Sequence, residues 1–267
     1  MKKRKKQQIS KIDQITSKLN KKDLPLNEFL SLLMNKDTFY QTADLELELL
    51  LSNGYPIEIA DDIVKLKTKY TDIKDEIFCI VDIETTAGNP TNGQIIELGA
   101  VKIKNGQIID EYESLVNCAE IPKHIQNLTK ITPNMLINKP DLQTVLEEFK
   151  IFLEDSVFVA HDIKFDYKYI SESFTKFDLG KLENRKLCTI DLAKRTIDTH
   201  RYGLDHLRDL LEIDVELHHR ALSDAKSTLE VFNKSISRLP EDINTTEDLI
   251  KFSKSHNVIN SFKSTQK

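Results

Sequence analysis

The sequence predicts an α/β domain with a mixed five-stranded sheet flanked by helices, preceded by a small module of helices and one β-hairpin. Three features carry that prediction. The run "EIFCIVDIETT", Glu76 to Thr86, is apolar on both faces, as a central strand covered on both sides must be. Two more strand-like runs follow it, divided by Asn105-Gly106, a hairpin signal. Beyond them, helical periodicity alternates with short apolar runs, the pattern of strands joined by helices.

Composition narrows the class. The 267 residues can hold one large domain, or an ordinary one plus a small one, and 39% hydrophobic with 30% charged residues is the balance of a folded soluble chain. Cys79, Cys118 and Cys188 are odd in number and lack Cys-x-x-Cys spacing, so a reduced compartment is expected and no zinc site is implied. The start "MKKRKKQQISKID" lacks the apolar segment of a signal peptide, and no run approaches bilayer-spanning length; a cytoplasmic, non-membrane protein is expected. A net charge of −5 argues against a broad basic face for nucleic acid, unless carboxylates bind divalent ions and reverse the local field.

The front region, 1–74, has a basic start and three helical patterns. Ile9, Ile12 and Leu19 suggest the first; Leu26, Phe29, Leu30, Leu33 and Met34 follow amphipathic spacing; Asp44 to Leu51 suggests a third, stopped by Asn53-Gly54. "YPIEIADDIVKLKTKYT" alternates on both sides of Ala60-Asp61-Asp62 and reads as a hairpin, which makes the module winged-helix-like. A third helix bearing Asp44, Glu46 and Glu48 has the wrong sign for reading DNA, so partner docking is the expected use. The polar stretch Thr71 to Asp75 reads as a linker.

In the second region, 75–238, the strands are Ile77–Glu84, "QIIELGAVKI", "GQIIDEYESLV", "SVFVA" and "KLCTI". Helices are expected around Ile121–Leu128, from Pro140 to Glu154 with Leu142, Val145, Leu146, Phe149 and Leu153 on one face, and from near Ile163, Gly203 and Arg220. Residues 239–267 read as a polar tail, whose apolar patch at Leu249, Ile250 and Phe252 could tether a polymerase subunit.

The chemistry begins with Asp82 and Glu84, two carboxylates on the same side of an apolar strand. Either the strand ends at Val81 in a solvated turn, or a cation offsets the repulsion. More acids stand in "VFVAHDIKFDYKYI" and "HHRALSDAKSTLEVF", each unremarkable alone. Together, "VDIETT", "HDIKFD" and "HRALSDA" resemble the three motifs of the DEDDh 3′-to-5′ exonucleases of the ribonuclease H-like fold, most closely the epsilon-like proofreading branch of bacterial DNA polymerase III. "IPKHIQNLTKITPNML" and "GLDHLRDLL" extend the resemblance, which covers about Ile77 to Ser237.

That resemblance implies a metal-dependent 3′-5′ exonuclease. Asp82, Glu84, Asp166 and Asp224 would hold two divalent cations, Mg²⁺ or Mn²⁺, with Glu84 shared with the 3′-terminal nucleotide, His219 as general base and Thr85 touching that nucleotide. A single-stranded or frayed DNA 3′ end is the implied substrate, proofreading in replication the implied role, and the DNA polymerase III catalytic subunit the implied partner. An RNA-directed member of the same family and a non-enzymatic adaptor are the alternatives. His218 is read as a bystander, and Asp162 departs from the Asn common in the family, so it is not read as a ligand.

Overall fold

The computed structural model describes residues 10–34, 42–214 and 219–256. The basic run Lys2 to Lys6, His218 and the end of the tail lie outside them. The front region runs α1 (Lys11–Lys21), β1 (Leu24–Pro25), α2 (Leu26–Leu33), α3 (Ala43–Ser52), β2 (Ile57–Ala60), β3 (Ile63–Leu66) and α4 (Lys67–Tyr70). Ser10 and Thr42 accept backbone N–H groups at the starts of α1 and α3, satisfying donors that a helix leaves open. Asp61 and Asp62 both take positive φ, which gives the tight two-residue turn between β2 and β3. The strands pair in the order β1-β3-β2. Ile15, Leu19, Leu24, Phe29, Leu33, Leu50, Tyr55, Ile57, Val64 and Leu66 form a core of their own.

Two elements here depart from the sequence reading. β1 is two residues long, too short to leave a periodic signal, and the run expected to continue the hairpin to Thr71 turns helical after Leu66.

The main sheet contains β4 (Ile77–Thr85), β5 (Ile95–Lys104), β6 (Gln107–Leu115), β7 (Val157–Ala160) and β8 (Lys186–Cys188), ordered β6-β5-β4-β7-β8. β4 pairs antiparallel with β5 and parallel with β7, so the sheet is mixed, as expected. α5 (Lys123–Thr129), α6 (Pro133–Leu136), α7 (Leu142–Leu153), α8 (Ile163–Lys176), α9 (Thr189–Thr196), α10 (Leu204–Leu211), α11 (Ala221–Ile236) and α12 (Thr246–Lys254) complete the described chain. Strand alternation divides β4 between two cores. Cys79, Val81 and Ile83 pack with residues of α7 and α8, including all five apolar positions expected on α7. Phe78 and Ile80 pack with Leu192, Leu229, Phe232 and Leu249 on the other face, so Asp82 and Glu84 continue the α11 side. Among the described residues, no helix is long and apolar enough to cross a membrane.

Three expectations are corrected. Thr189 and Ile190 belong to α9, not to the last strand, which ends at Cys188. Thr71–Asp75 is not a free linker: Asp72 bridges Thr245, and Ile73 N–H donates to Asn244 O at 2.9 Å. The apolar patch of the tail is spent inside this chain, because α12 buries Leu249, Ile250 and Phe252 in the sheet's second core, so those side chains are not available as a tether. Glu247 of α12 is fully buried and accepts from Arg185 Nε at 2.6 Å, Arg185 Nη2 at 2.8 Å, Thr68 Oγ1 at 2.9 Å and Asn20 Nδ2 at 3.0 Å.

Candidate active site

The site arises because β4 outruns its parallel neighbour. Pairing of β4 with β7 ends at Ile80↔Val159, and β7 stops at Ala160, while β4 continues to Thr85. Asp82 and Glu84 therefore lie beyond the carboxyl end of β7, where open α/β sheets form their crevices. The chain leaves β7 through Asp162 in the left-handed region, φ 74°, and enters α8, whose first turn carries Asp166. The Asp166 carboxylate is buried within hydrogen-bonding reach of the Ile83 N–H, a donor that β7 is too short to pair. Asp162 is exposed and its side chain caps nothing.

The third contribution comes from α11. His219 takes φ 56° just before the helix, and Asp224 lies in its first turn. Ligand atoms of Glu84, His219 and Asp224 all lie within 4.8 Å of one another. Asp82 feels Asp166, Asp224 and Glu84 in turn, so Asp82 and Asp166 lie electrostatically beside the Glu84–His219–Asp224 group, though not inside its 4.8 Å. Thr85 is buried, and its hydroxyl donates to Ala87 O at 3.0 Å, which engages it in holding the loop after β4.

Burial and mutual repulsion make this cluster unwelcoming to four full charges. Burial first, then the neighbouring acids, raises Asp82 well above the carboxylate range; burial likewise raises Asp166, with Asp162 and Glu84 adding to it. Glu84 is pushed up to about 8 by burial, then by Asp224 and Glu97, with Arg220 opposing. Asp224 is raised by burial but held back by Arg208 and His219. A set of carboxylate oxygens beside one imidazole suits a hard divalent ion, which would offset this repulsion. The donor set thus fits a metal centre.

Several supporting residues escaped the sequence reading. Arg208 of α10, within "GLDHLRDLL", is 3% exposed and donates to Asp224 Oδ1 and, at 3.0 Å, to Asp205. Glu97 of β5 stands opposite Glu84, is fully buried, and accepts from Arg220 Nε and Nη2 at 2.9 and 2.6 Å and from the Ala221 N–H at 2.9 Å. It clamps the start of α11. Gly99, opposite Asp82, lets the Ala221–Leu222 backbone approach the sheet. His161 is held neutral, its pKa lowered by burial to about 4; its Nε2–H donates to Tyr202 O at 2.8 Å, so Nδ1 accepts from Thr189 Oγ1 at 2.9 Å. A lone acid inside the apolar run "QIIELGAVKI" was the one available sign of Glu97.

The exonuclease family model (RNase_T) matches residues 79–232, more than half of the chain. The chain belongs to the exonuclease family. This exonuclease is 37% identical over 188 residues to the PolC-type DNA polymerase III of Staphylococcus haemolyticus, covering 68% of this chain and 13% of that protein. With the corresponding protein of Staphylococcus saprophyticus the identity is 34% over 223 residues, covering 79% and 15%. The exonuclease thus spans only 13% to 15% of the length of these relatives. E. coli Exonuclease I, solved with a dA16 oligonucleotide, superposes with a TM-score of 0.56 at 15% identity over 62% of this chain and 42% of that one, a likeness of fold. The ribonuclease H-like architecture expected from the motifs is the one observed.

Proposed function

We propose that this 3′-5′ exonuclease removes nucleoside 5′-monophosphates from single-stranded or frayed DNA 3′ ends and proofreads during DNA replication. The observation that supports it best is the convergence of Asp82, Glu84, Asp166, Asp224 and His219 from separate elements at the open end of one strand. The similarity to PolC-type DNA polymerase III favours DNA over RNA and makes a polymerase III catalytic subunit the proposed partner. The front module, 1–74, is assigned partner docking, because α3 presents Asp44 and Glu46 in its first turn, unsuited to phosphate contact.

Asp82, Glu84, Asp166 and Asp224 would hold two Mg²⁺ or Mn²⁺ ions. When bound, such ions stabilise the negative charge that grows on the attacking and leaving oxygens of a phosphodiester. The remaining work belongs to the side chains. His219 takes the proton from the attacking water, a task that suits an imidazole near neutral pH. Glu84, beside both His219 and Asp224, orients the terminal nucleotide, and the Glu97–Arg220 clamp holds His219 at the correct height above β4. An unpaired end costs the least unstacking to enter the crevice.

Matched 5′-labelled DNA and RNA oligomers, incubated with Mg²⁺ and then with chelator, test this reading. Stepwise shortening of DNA from its 3′ end, lost with chelator and in Asp166→Ala, is expected. Equal or faster loss of RNA would move the substrate to RNA, and activity surviving chelation would remove the metal.

A further inference from the structure

We propose that Arg208 is the resident counter-charge of the carboxylate cluster: it holds Asp224 when no cation is bound and weakens the grip of a divalent cation on that side of the site. This rests on the metal-dependent reading above. The guanidinium is 3% exposed, donates through Nη2 to Asp224 Oδ1, and donates through Nη1 to Asp205 Oδ1 at 3.0 Å. Asp224 itself is 7% exposed, whereas the Asp205 side chain is 70% exposed. Arg208 therefore spans from the solvent edge to the inside of the acid cluster.

Two physical points follow. A guanidinium cannot shed its proton in a protein, so its charge persists under all conditions in which the acids can be neutralised. It also competes for a carboxylate oxygen whose lone pairs a cation would use. Asp224 is consequently ion-paired before any metal arrives, and the cluster offers an entering dication one less unit of net negative charge. Removing a like charge at contact range favours the dication. An arginine that merely propped up the helix would act in the opposite sense, since its loss would misplace Asp224 and weaken binding.

The test is Mn²⁺ titration by calorimetry, with folding of each variant checked by circular dichroism. Arg208→Gln is expected to bind Mn²⁺ about tenfold more tightly than wild type, and its melting temperature should rise more on Mn²⁺ addition. Equal or weaker binding in Arg208→Gln overturns the proposal. Should that variant not fold, Asp205→Asn decides: with its outer carboxylate gone the guanidinium leans more heavily on Asp224, and Mn²⁺ binding should weaken about threefold. Unchanged or tighter binding in Asp205→Asn overturns the proposal too. A wild-type protein that bound no Mn²⁺ would instead sink the metal reading beneath it, a failure visible before any variant is made.

Discussion

Gly99→Ala tests the positioning of α11 directly. A methyl group on Gly99 would sit 2.1 Å from the Leu222 nitrogen, 2.4 Å from the Ala221 carbonyl carbon and 2.6 Å from Leu222 Cα. Ordinary contact begins near 3.4 Å, and these are main-chain atoms with no rotamer to escape into. The start of α11 must then retreat by roughly 1 Å, or β5 must bend away. Overpacking of this kind costs about 1–3 kcal/mol. The kinetic cost is larger, because His219 and Asp224 ride on that turn while Asp82, opposite Gly99, does not. A displacement of about 1 Å in a reacting constellation lowers turnover about a hundredfold. Urea denaturation and the rate of mononucleotide release from single-stranded DNA measure the two effects, with Gly88→Ala as control because no atom lies within 4 Å of its added methyl. If Gly99→Ala kept wild-type turnover and stability, the argument that this glycine sets the height of α11 would be refuted.

Other consequences are open to measurement. Glu247→Ala leaves the half-buried Arg185 without its carboxylate and empties a fully buried anion's place, which should cost about 3 kcal/mol in denaturant unfolding; a loss within error of zero would contradict the node described at α12. His161 binds its proton less readily folded, with a pKa of about 4, than unfolded at 6.5. Its contribution is therefore complete above pH 6.5 and lost as pH falls toward 4, by about 3 kcal/mol across the window. His161→Asn should remove this dependence, and a wild-type minus variant difference that stays constant between pH 7 and 4.5 would count against it. Because Asp82, Asp166 and Glu84 are raised in the ion-free protein, Mn²⁺ binding at pH 7 should release protons. Calorimetry in buffers of different ionisation enthalpy reads the number; no buffer dependence would show the acids already ionised.

Much of the catalytic half was legible because its signals are local. β4 announces itself by an unbroken apolar run, the α7 face by its spacing, and Asp82 with Glu84 by the anomaly of charge in such a strand. What escaped depends on partners far along the chain. Glu97 looks like a stray acid until Arg220 is brought beside it, and Arg208 looks like an ordinary helix-surface arginine until α10 packs on α11. α12 reads as tail because its few apolar residues are covered by surfaces assembled from distant segments. β1 carries too few residues for periodicity to speak, and the start of α9 falls inside the strand-like run "KLCTI".

Glu247 also bears on how this polypeptide can be divided. Its carboxylate gathers donors from Asn20 and Thr68 ahead of the catalytic sheet and from Arg185 just before β8. Excising the leading 74 residues would strip hydrogen bonds from a submerged anion, and trimming after residue 238 would orphan a half-submerged cation. The motif borders are poor places for scissors, so a domain swap or gene fusion cut there inherits an unbalanced interior.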